Sequence, residues 1–427
     1  MSEAYRRLHK NSRRKDNSRG MEKKKKKIMI LGASVYQVPL IRAAKAMGLY
    51  TLVASIPGDY PGFALADKVY YINTRDKEGI LRTCREEAVD GICTTGTDVA
   101  VSTIGYVCEK LGLSGLSEEA ARRATDKAAM KEAFFSEGVS AARFYKARSL
   151  EDVTWAAGEL GFPVVVKRVD SSGSRGISIV REPAGLKEAF RCALERSDKD
   201  YVLVEEMLSG TEIGVDGVVQ NHRLVFFAPH EKFVYHSEKI TIPAGHGFPY
   251  RGSEKVQQRL REEMELAVKA LDLNNCSVNA DVFVDGDQVW MIEMGGRTGA
   301  TCIPELISMY YGFDFYKKIL QNALGETLDF SPERPGVHCM AKLLMSPVDG
   351  KITGVNLKEL EELRREGVEI ALDYPVGHPV EAMQNGTTRI GHVVARAESV
   401  EELDETVARV YGCIEVNGIS LEELWGK

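Results

Sequence analysis

Apolar positions along this chain follow two different periods, and the change from one to the other divides it. From Lys27 the segment KIMILGASVYQVPLIRAAKAMGLYTLVAS opens with an unbroken apolar run and turns at Gly32. It then places Leu40, Ala43, Ala44 and Met47 at helical spacing and closes with a second apolar run. Continuous apolar strands around an amphipathic helix predict a βαβ unit of a parallel sheet. The alternation continues through DKVYYIN, a helix carrying Ile80 and Leu81, the strand VDGICTT and a helix from about Val99 to Leu111. Residues 27–118 are therefore expected to form one α/β lobe. A further helix is expected from about Ala120 to Gly138.

Beyond residue 144 the units shorten. Residues 144–208 read as strand, helix, strand (VVVKRV), glycine-rich turn, strand (GISIV), helix and strand (YVLVEEML), which is a small α+β module. The segments EIGVDGVV, RLVFFAPH and VNADVFVDGDQVWMIEM predict further strands, with Asp285-Gly286 as a hairpin turn. PAGHGFPYRG, residues 243–252, reads as a glycine- and proline-rich loop before a helix beginning near Glu254. Pro332 and Pro335 mark a linker to a last domain. The expected organisation is a basic tail too polar to order (1–26), an α/β lobe (27–118), a central domain (119–330) containing the 144–208 module, and a C-terminal α+β domain (331–427).

Composition narrows the function classes. A formal net charge of −6 argues against a chain built to bind nucleic acid or an anionic membrane surface. The eight cysteines are scattered without a C-x-x-C pair, which supports neither a disulfide framework nor a zinc site. With no long apolar span and no apolar run after the basic N-terminus, the expected setting is cytoplasmic.

Three segments carry candidate chemistry. Lys167 is followed by Ser171, Ser172, Gly173, Ser174, Arg175 and Gly176, either an ordinary tight turn or a loop whose N–H groups and hydroxyls fold over phosphates. VLVEEMLSGTEIGVD sets Glu205, Glu206, Met207 and Leu208 at a strand end before Glu212, either a solvated acidic loop or an interlobe hinge whose backbone meets a base and whose carboxylate accepts from ribose hydroxyls. Asp281 and Glu293 lie on two strands joined by the hairpin turn, where facing carboxylates repel unless a cation lies between them. Mg²⁺ suits such a pair, and Arg297 suits a carboxylate ligand.

The order lysine, lysine, glycine loop, hinge carboxylates, paired acidic strands, arginine resembles the ATP-grasp superfamily from Lys27 onward, most of all its biotin-carboxylase-like and amino-acid-ligase branch. LGASVYQVPLI, with Gly32, Gln37 and Pro39, matches the opening lobe, and Asp126-Lys127 matches a motif at a helix start. The resemblance implies an ATP-grasp fold with a Rossmann-like first lobe and a β-rich C-terminal domain. It implies that Lys127 and Lys167 contact ATP phosphates, Ser171 to Gly176 form a lid loop with Arg175 at the transferring group, and Glu205 to Leu208 meet adenine. Glu212 would hold ribose, Asp281 and Glu293 Mg²⁺ (or Mn²⁺), and Arg297 the acceptor carboxylate or acyl phosphate. His246 resembles a substrate-loop histidine and equally suits a solvated loop position. The reaction implied is ATP-dependent joining of a small carboxylate to an amine through an acyl phosphate, by an enzyme that needs no nucleic acid or membrane partner and leaves a homodimer open. Gly295 departs from the pattern, since many members carry Asn there. Lys342 and Arg389 are read as surface ion pairs rather than catalytic groups.

Three alternatives frame that expectation. A dinucleotide-dependent oxidoreductase lacks its fingerprint, because Ala33, Ser34, Val35 and Tyr36 follow Gly32. A bicarbonate-using carboxylase or purine-pathway enzyme keeps the fold and changes the substrate. A silent nucleotide-binding regulator would accord with Gly295 but not with retention of Lys127 and Lys167.

Overall fold

The computed structural model describes residues 25–170, 176–195, 197–236, 241–333, 336–384 and 388–426. Its first sheet has strands β1 (Lys27–Leu31), β2 (Tyr50–Ser55), β3 (Lys68–Tyr71) and β4 (Gly91–Cys93), all parallel, in the order β3-β2-β1-β4. The unbroken apolar run of β1 has the expected cause, burial on both faces. Ile28 and Ile30 pack with Leu40, Ile41, Phe315 and Leu320, while Met29 and Leu31 pack with Ile80, Cys84 and Ile104 on the other side. Truncating one such residue, as in Ile30→Ala, costs about 2–5 kcal/mol. Because β2 and β4 lie on opposite sides of β1, the chain reverses direction there, and the carboxyl ends of β1 and β4 border a crevice.

The expected helix over 120–138 is two helices, Glu118–Thr125 and Lys127–Glu137. Asp126 breaks the run. Its carboxylate accepts from the amides of Ala128 and Ala129 at 3.0 and 3.1 Å, capping the second helix and fixing Lys127 as its first residue.

The 144–208 module is an antiparallel sheet of β5 (Phe144–Ala147), β6 (Val164–Lys167), β7 (Ile177–Val180) and β8 (Val202–Glu206), ordered β5-β8-β6-β7. Helices Leu150–Leu160 and Leu186–Leu194 cover one face, burying Val164, Val166, Val180, Val202 and Val204. The other face carries Lys167 and Glu205, with half-exposed Ile177 and Ile179 beside them in register.

The largest sheet contains β9 (Thr211–Gln220), β10 (Arg223–His236), β11 (Thr241–Phe248), β12 (Cys276–Asp285), β13 (Gln288–Gly295) and β14 (His338–Leu344). Strands Gly391–Ala397 and Glu369–Leu372 extend it to eight, in the order β13-β12-β9-β10-β11-β14 and then those two. The helix Glu254–Ala270 lies on one face, where Leu260, Met264 and Ala267 meet Val215, Val278, Ala280 and Met291. Alternation along the strands then turns Glu212, Asp216, Asn279 and Asp281 to the opposite face. A small sheet of Pro379–Val380, Gly350–Val355, Ile414–Val416 and Ile419–Ser420 completes the C-terminal region.

Residues 243–248 are not a loop. They belong to β11, where His246 pairs with Lys232 on one side and Ala341 on the other. The glycines that suggested a loop answer to close strand approach instead, since a Cβ at Gly245 would sit 2.2 Å from the Ala341 carbonyl oxygen. Pro243 falls at a register shift in the ladder.

Candidate active site

A hairpin defect brings the acidic pair together. The turn is Gly286-Asp287, closed by Asp285 opposite Gln288, one residue later than the expected Asp285-Gly286. Continued without interruption, that register would set Glu293 opposite Ala280, on the helix-covered face. A register shift between Asp281 and Val282 adds one residue, so Asp281 stands opposite Glu293 and Asn279 opposite Gly295. The bulge thus creates the carboxylate pair.

Three lysine–carboxylate groups converge on this face and on the facing 144–208 sheet. Lys127 donates to Glu293 at 2.6 Å. Lys232, on β10, donates to both Glu212 and Asp281 at 2.6 Å. Lys167 and Lys131 flank Glu205 at 2.8 and 3.5 Å, all three almost fully buried. The groups differ in balance: two ammoniums against one carboxylate on the 144–208 sheet, one ammonium against two carboxylates at Lys232. A polyanion is therefore drawn to the first and a cation to the second.

Protonation follows the same contacts. Burial opposes ionisation of Glu293, but Lys127, with Lys167 and Lys232 adding to it, holds the acid down to about 2. Asp281 is raised by burial, with Lys232 opposing and Glu212 and Glu293 adding to the rise. Lys232 is raised by Asp281 and Glu212 against the effect of burial. Burial pushes the Lys131 ammonium down to about 8, which Glu205 only partly counters.

Arg297 is tied at its guanidinium to Asp98, with Nε and one terminal nitrogen 2.7 and 2.8 Å from the two carboxylate oxygens. It also donates to Asn279 Oδ1 at 3.1 Å. Asp98 follows β4, so this pair joins the first lobe to the large sheet. Beneath it, fully buried Asp216 accepts from Thr298 Oγ1 (3.0 Å), the Gly299 amide (2.8 Å) and Asn279 Nδ2 (2.8 Å), which sets the turn after Arg297.

Two hollows meet at this point. A cleft of about 880 Å³ lies between the first lobe, the loops of the 144–208 module and the end of the β12–β13 hairpin, with Arg75, Lys127, Arg168, Gly176 and Glu293 in its wall. A cavity of about 750 Å³ lies against the carboxyl ends of β1 and β4, with Tyr36, Ile56, Tyr60 and His246 in its wall. Asp98, Asn279, Glu293 and Arg297 border both.

Of the residues expected from sequence, Lys127, Lys167, Glu205, Glu212, Asp281, Glu293 and Arg297 come together. Glu206 turns away to Arg143, at 2.8 Å. The Met207 amide makes a long 3.4 Å bond to the Pro163 carbonyl, and Leu208 follows it into the connection to β9. Ser171, Ser172, Gly173, Ser174 and Arg175 lie outside the described residues; Gly176, which is described, has φ +72°. His246 is not a solvated loop residue: it is 4 % exposed, edge-on to His230 at 4.8 Å, and held well below 6.5 by burial and by His230 and Lys232. Lys342 reaches Asp404 at 3.7 Å near the surface. Arg389 corrects the surface reading, being 6 % exposed, paired with Asp373 at 2.7 Å and placed 5.0 Å over the Tyr36 ring. Sequence reasoning missed Asp98, Lys131, Asp216, Lys232 and Asn279. Asn279 and Asp216 carried the signal of alternation with Asp281 and Glu212, but Lys232 and Asp98 enter by register and topology alone.

The carboxylate pair suits a hard divalent cation, because Asp281 and Glu293 offer oxygen donors alone and already hold ammonium groups against them. Among the described residues no three His, Cys, Asp or Glu side chains stand as a metal cage. Further oxygens would have to come from the ligand.

Comparison with known proteins agrees with this geometry. A model of the ATP-grasp domain matches residues 160–305, and a model of the L-amino acid ligase C-terminal domain 2 matches residues 342–417. The D-alanine–D-alanine ligase of Gloeobacter violaceus is 31% identical over 234 residues, 51% of this chain and 75% of that protein. The chain belongs to the ATP-grasp family. Among solved structures it is similar to phosphoribosylglycinamide synthetase from Anaerococcus prevotii, with TM-score 0.76, 28% identity, and coverage of 92% of this chain and 99% of that one. It is also similar in fold to the L-amino acid ligase from Bacillus licheniformis, with TM-score 0.77, 18% identity and the same coverage.

Proposed function

We propose that the protein is an ATP-dependent carboxylate–amine ligase that makes an amide bond through an acyl phosphate, releasing ADP and phosphate. The observation that carries this reading is the meeting of cleft and cavity at Glu293 and Arg297. A terminal phosphate at Lys127 and Glu293 and an acid in the cavity would face one another there, so that positioning supplies much of the acceleration.

The residue roles follow from charge. Lys167, Lys131 and Lys127 bind the phosphates, and the apolar face of Ile177 and Ile179 suits the base. Glu212 accepts from the ribose, with Glu205 to Leu208 at the adenine edge and residues 171–176 as the lid. Asp281 and Glu293 hold Mg²⁺, or Mn²⁺, which when bound supplies neutralisation of phosphate charge. Arg297 orients the acid's carboxylate and stabilises negative charge on the transferring group. The carboxylate oxygen attacks the terminal phosphorus and ADP leaves; the amine then attacks the acyl carbon and phosphate leaves. His246, neutral and buried, shapes the cavity floor.

In this reading residues 27–118 are the pre-ATP-grasp lobe, 119–330 the ATP-grasp domain and 331–427 the C-terminal domain. All eight cysteines are free, which supports a reducing, cytoplasmic setting, and no helix among the described residues is long and apolar enough to cross a membrane. The likeness to phosphoribosylglycinamide synthetase favours, as second reading, a purine-pathway enzyme on the same scaffold. ATP turnover against a panel of amino acids, small carboxylates and bicarbonate, with product masses, tests both. ADP, phosphate and an amide support the ligase; AMP with pyrophosphate refutes it, and a bicarbonate-dependent or purine product transfers support to the second reading.

A further inference from the structure

Arg389 is a buried cation that the residue roles above do not use. Its Nε donates to Asp373 at 2.7 Å, and its guanidinium lies 5.0 Å from the centre of the Tyr36 ring. Asp373 follows the strand Glu369–Leu372 and Arg389 precedes the strand Gly391–Ala397, whereas Tyr36 follows β1. The stack therefore ties the C-terminal region to the first lobe. Tyr36 lines the cavity of about 750 Å³, while Arg389 borders neither the cavity nor the cleft.

The surroundings of Arg389 do not suit a free anion. Asp373 already answers its charge, and the other titratable groups around it are Tyr36, Cys302, His392, Glu305 and Glu369, with no second lysine or arginine among them. An anion entering here would meet those carboxyls as well as the guanidinium. The face of a tyrosine ring brings no such conflict, because its quadrupole attracts the cation, the more so away from water.

Tyr36 is held from two sides. Its carbonyl accepts from Thr95 Oγ1 at 2.8 Å, and a Cβ on Gly96 would stand 3.1 Å from the Tyr36 Cβ, so the chain behind it is tightly packed. The ring is held by Arg389, through the stack and a side-chain hydrogen bond. The same guanidinium stands near Cys302, which with Thr301 takes the left-handed conformation, φ +62° and +59°, ahead of the helix Ile303–Tyr311. A β-branched residue in that region is strained and persists only where its neighbours hold it. Tyr36, Thr301 and Ile303 all face the cavity, so one C-terminal side chain braces wall segments from two other parts of the molecule.

Resting on the ligase reading above, we propose that Arg389 is a positioning residue for acid specificity, holding the Tyr36 ring as a fixed wall of the cavity and so limiting the length of acid side chain that is accepted.

The test measures that limit with ATP, hydroxylamine and two graded series, acetate to octanoate and glycine to L-2-aminooctanoate. Hydroxylamine attacks the acyl carbon, expels phosphate and yields a hydroxamate whatever the natural amine is. In the series that reacts, kcat/KM of the wild type is expected to fall by on the order of tenfold at the first methylene past the limit. Tyr36→Ala, which removes the ring, and Arg389→Met, which keeps bulk without charge, both move the limit to longer acids. Arg389→Lys, which keeps a cation at the ring, moves it less. The double variant Tyr36→Ala/Arg389→Met matches Tyr36→Ala alone, because Arg389 acts through the ring. Thermal unfolding and ADP affinity establish that each variant is folded. Should an unpaired Asp373 keep Arg389→Met from folding, Arg389→Met/Asp373→Leu removes both buried charges and is judged by the same criteria. An unchanged limit in Tyr36→Ala or in folded Arg389→Met overturns the proposal, as does a wild type without any limit up to octanoate or L-2-aminooctanoate. A KM raised equally for all acids, with or without Tyr36, makes Arg389 an anion-binding group and also overturns it. Each of those results, obtained with hydroxamate formed, leaves the ligase reading standing, whereas ATP turnover without hydroxamate from any acid refutes both.

Discussion

Two groups of identical composition, one glutamate between two lysines, sit in opposite settings in this molecule. At the rim of the first lobe Glu87 accepts from Lys27 at 2.8 Å and Lys68 at 2.6 Å, with Tyr70 adding a third donor. The two lysine side chains there are 26 % and 47 % exposed. Between the helix Lys127–Glu137 and the 144–208 sheet, Glu205 lies between Lys167 and Lys131, and none of the three side chains exceeds 6 % exposure. The rim group holds its carboxyl down to about 2, through Lys27 first, and its surplus positive charge is hydrated. The inner group keeps its surplus in a dry place, and one lysine is pushed down to about 8 by burial. Equal ion pairs therefore carry different meanings: the first fastens a strand edge, and the second maintains an attraction for an anion that the protein does not itself provide.

The contrast can be broken by five substitutions, in descending order of effect. Glu205→Gln should destabilise by about 3–5 kcal/mol in urea unfolding, because it leaves two buried ammoniums facing one another. An effect under about 1 kcal/mol would place this group with the rim pairs. Lys167→Ala and Glu293→Gln should each lower turnover by on the order of 10² or more, the scale of losing a charge-stabilising group. Near-normal steady-state rates would remove these residues from the mechanism.

The burial rule extends to His392, which is held down to about 4 by burial first and by nearby Arg389. Its imidazole stays neutral in the folded protein while the unfolded chain takes up a proton below about 6.5, so stability is intact above that pH and falls as the pH drops toward 4. Against wild type, His392→Gln should flatten that window by on the order of 2 kcal/mol at its acid end, read from unfolding midpoints at matched pH. The smallest effect is expected at the rim, where Glu87→Gln should cost about 1 kcal/mol or less and leave turnover unchanged.

The same contrast explains what the sequence disclosed. The first lobe was legible because strands buried on both faces write a continuous apolar run, whereas the break at Asp126 does not show in the periodicity of an alanine-rich stretch and was signalled only by the Asp126-Lys127 motif. The Asp281–Glu293 pair was anticipated from a hairpin, yet its turn falls one residue later and the pair meets through a bulge that no local residue announces. His246 was misplaced because Gly245 and Gly247 suggest a turn, whereas a crowded central strand needs them for clearance. Lys232 and Asp98 arrive from other strands and loops, so their roles depend on register and strand order rather than on spacing.

The proposed phosphoryl transfer to a carboxylate, where cleft and cavity meet, is the step on which every residue role depends. Its most direct test follows oxygen: the acid that supports turnover is supplied with both carboxylate oxygens as ¹⁸O, and the released phosphate is examined by ³¹P NMR. One ¹⁸O is expected in each phosphate formed, lost from the acid as the acyl phosphate is displaced. Unlabelled phosphate accompanied by amide product would contradict it.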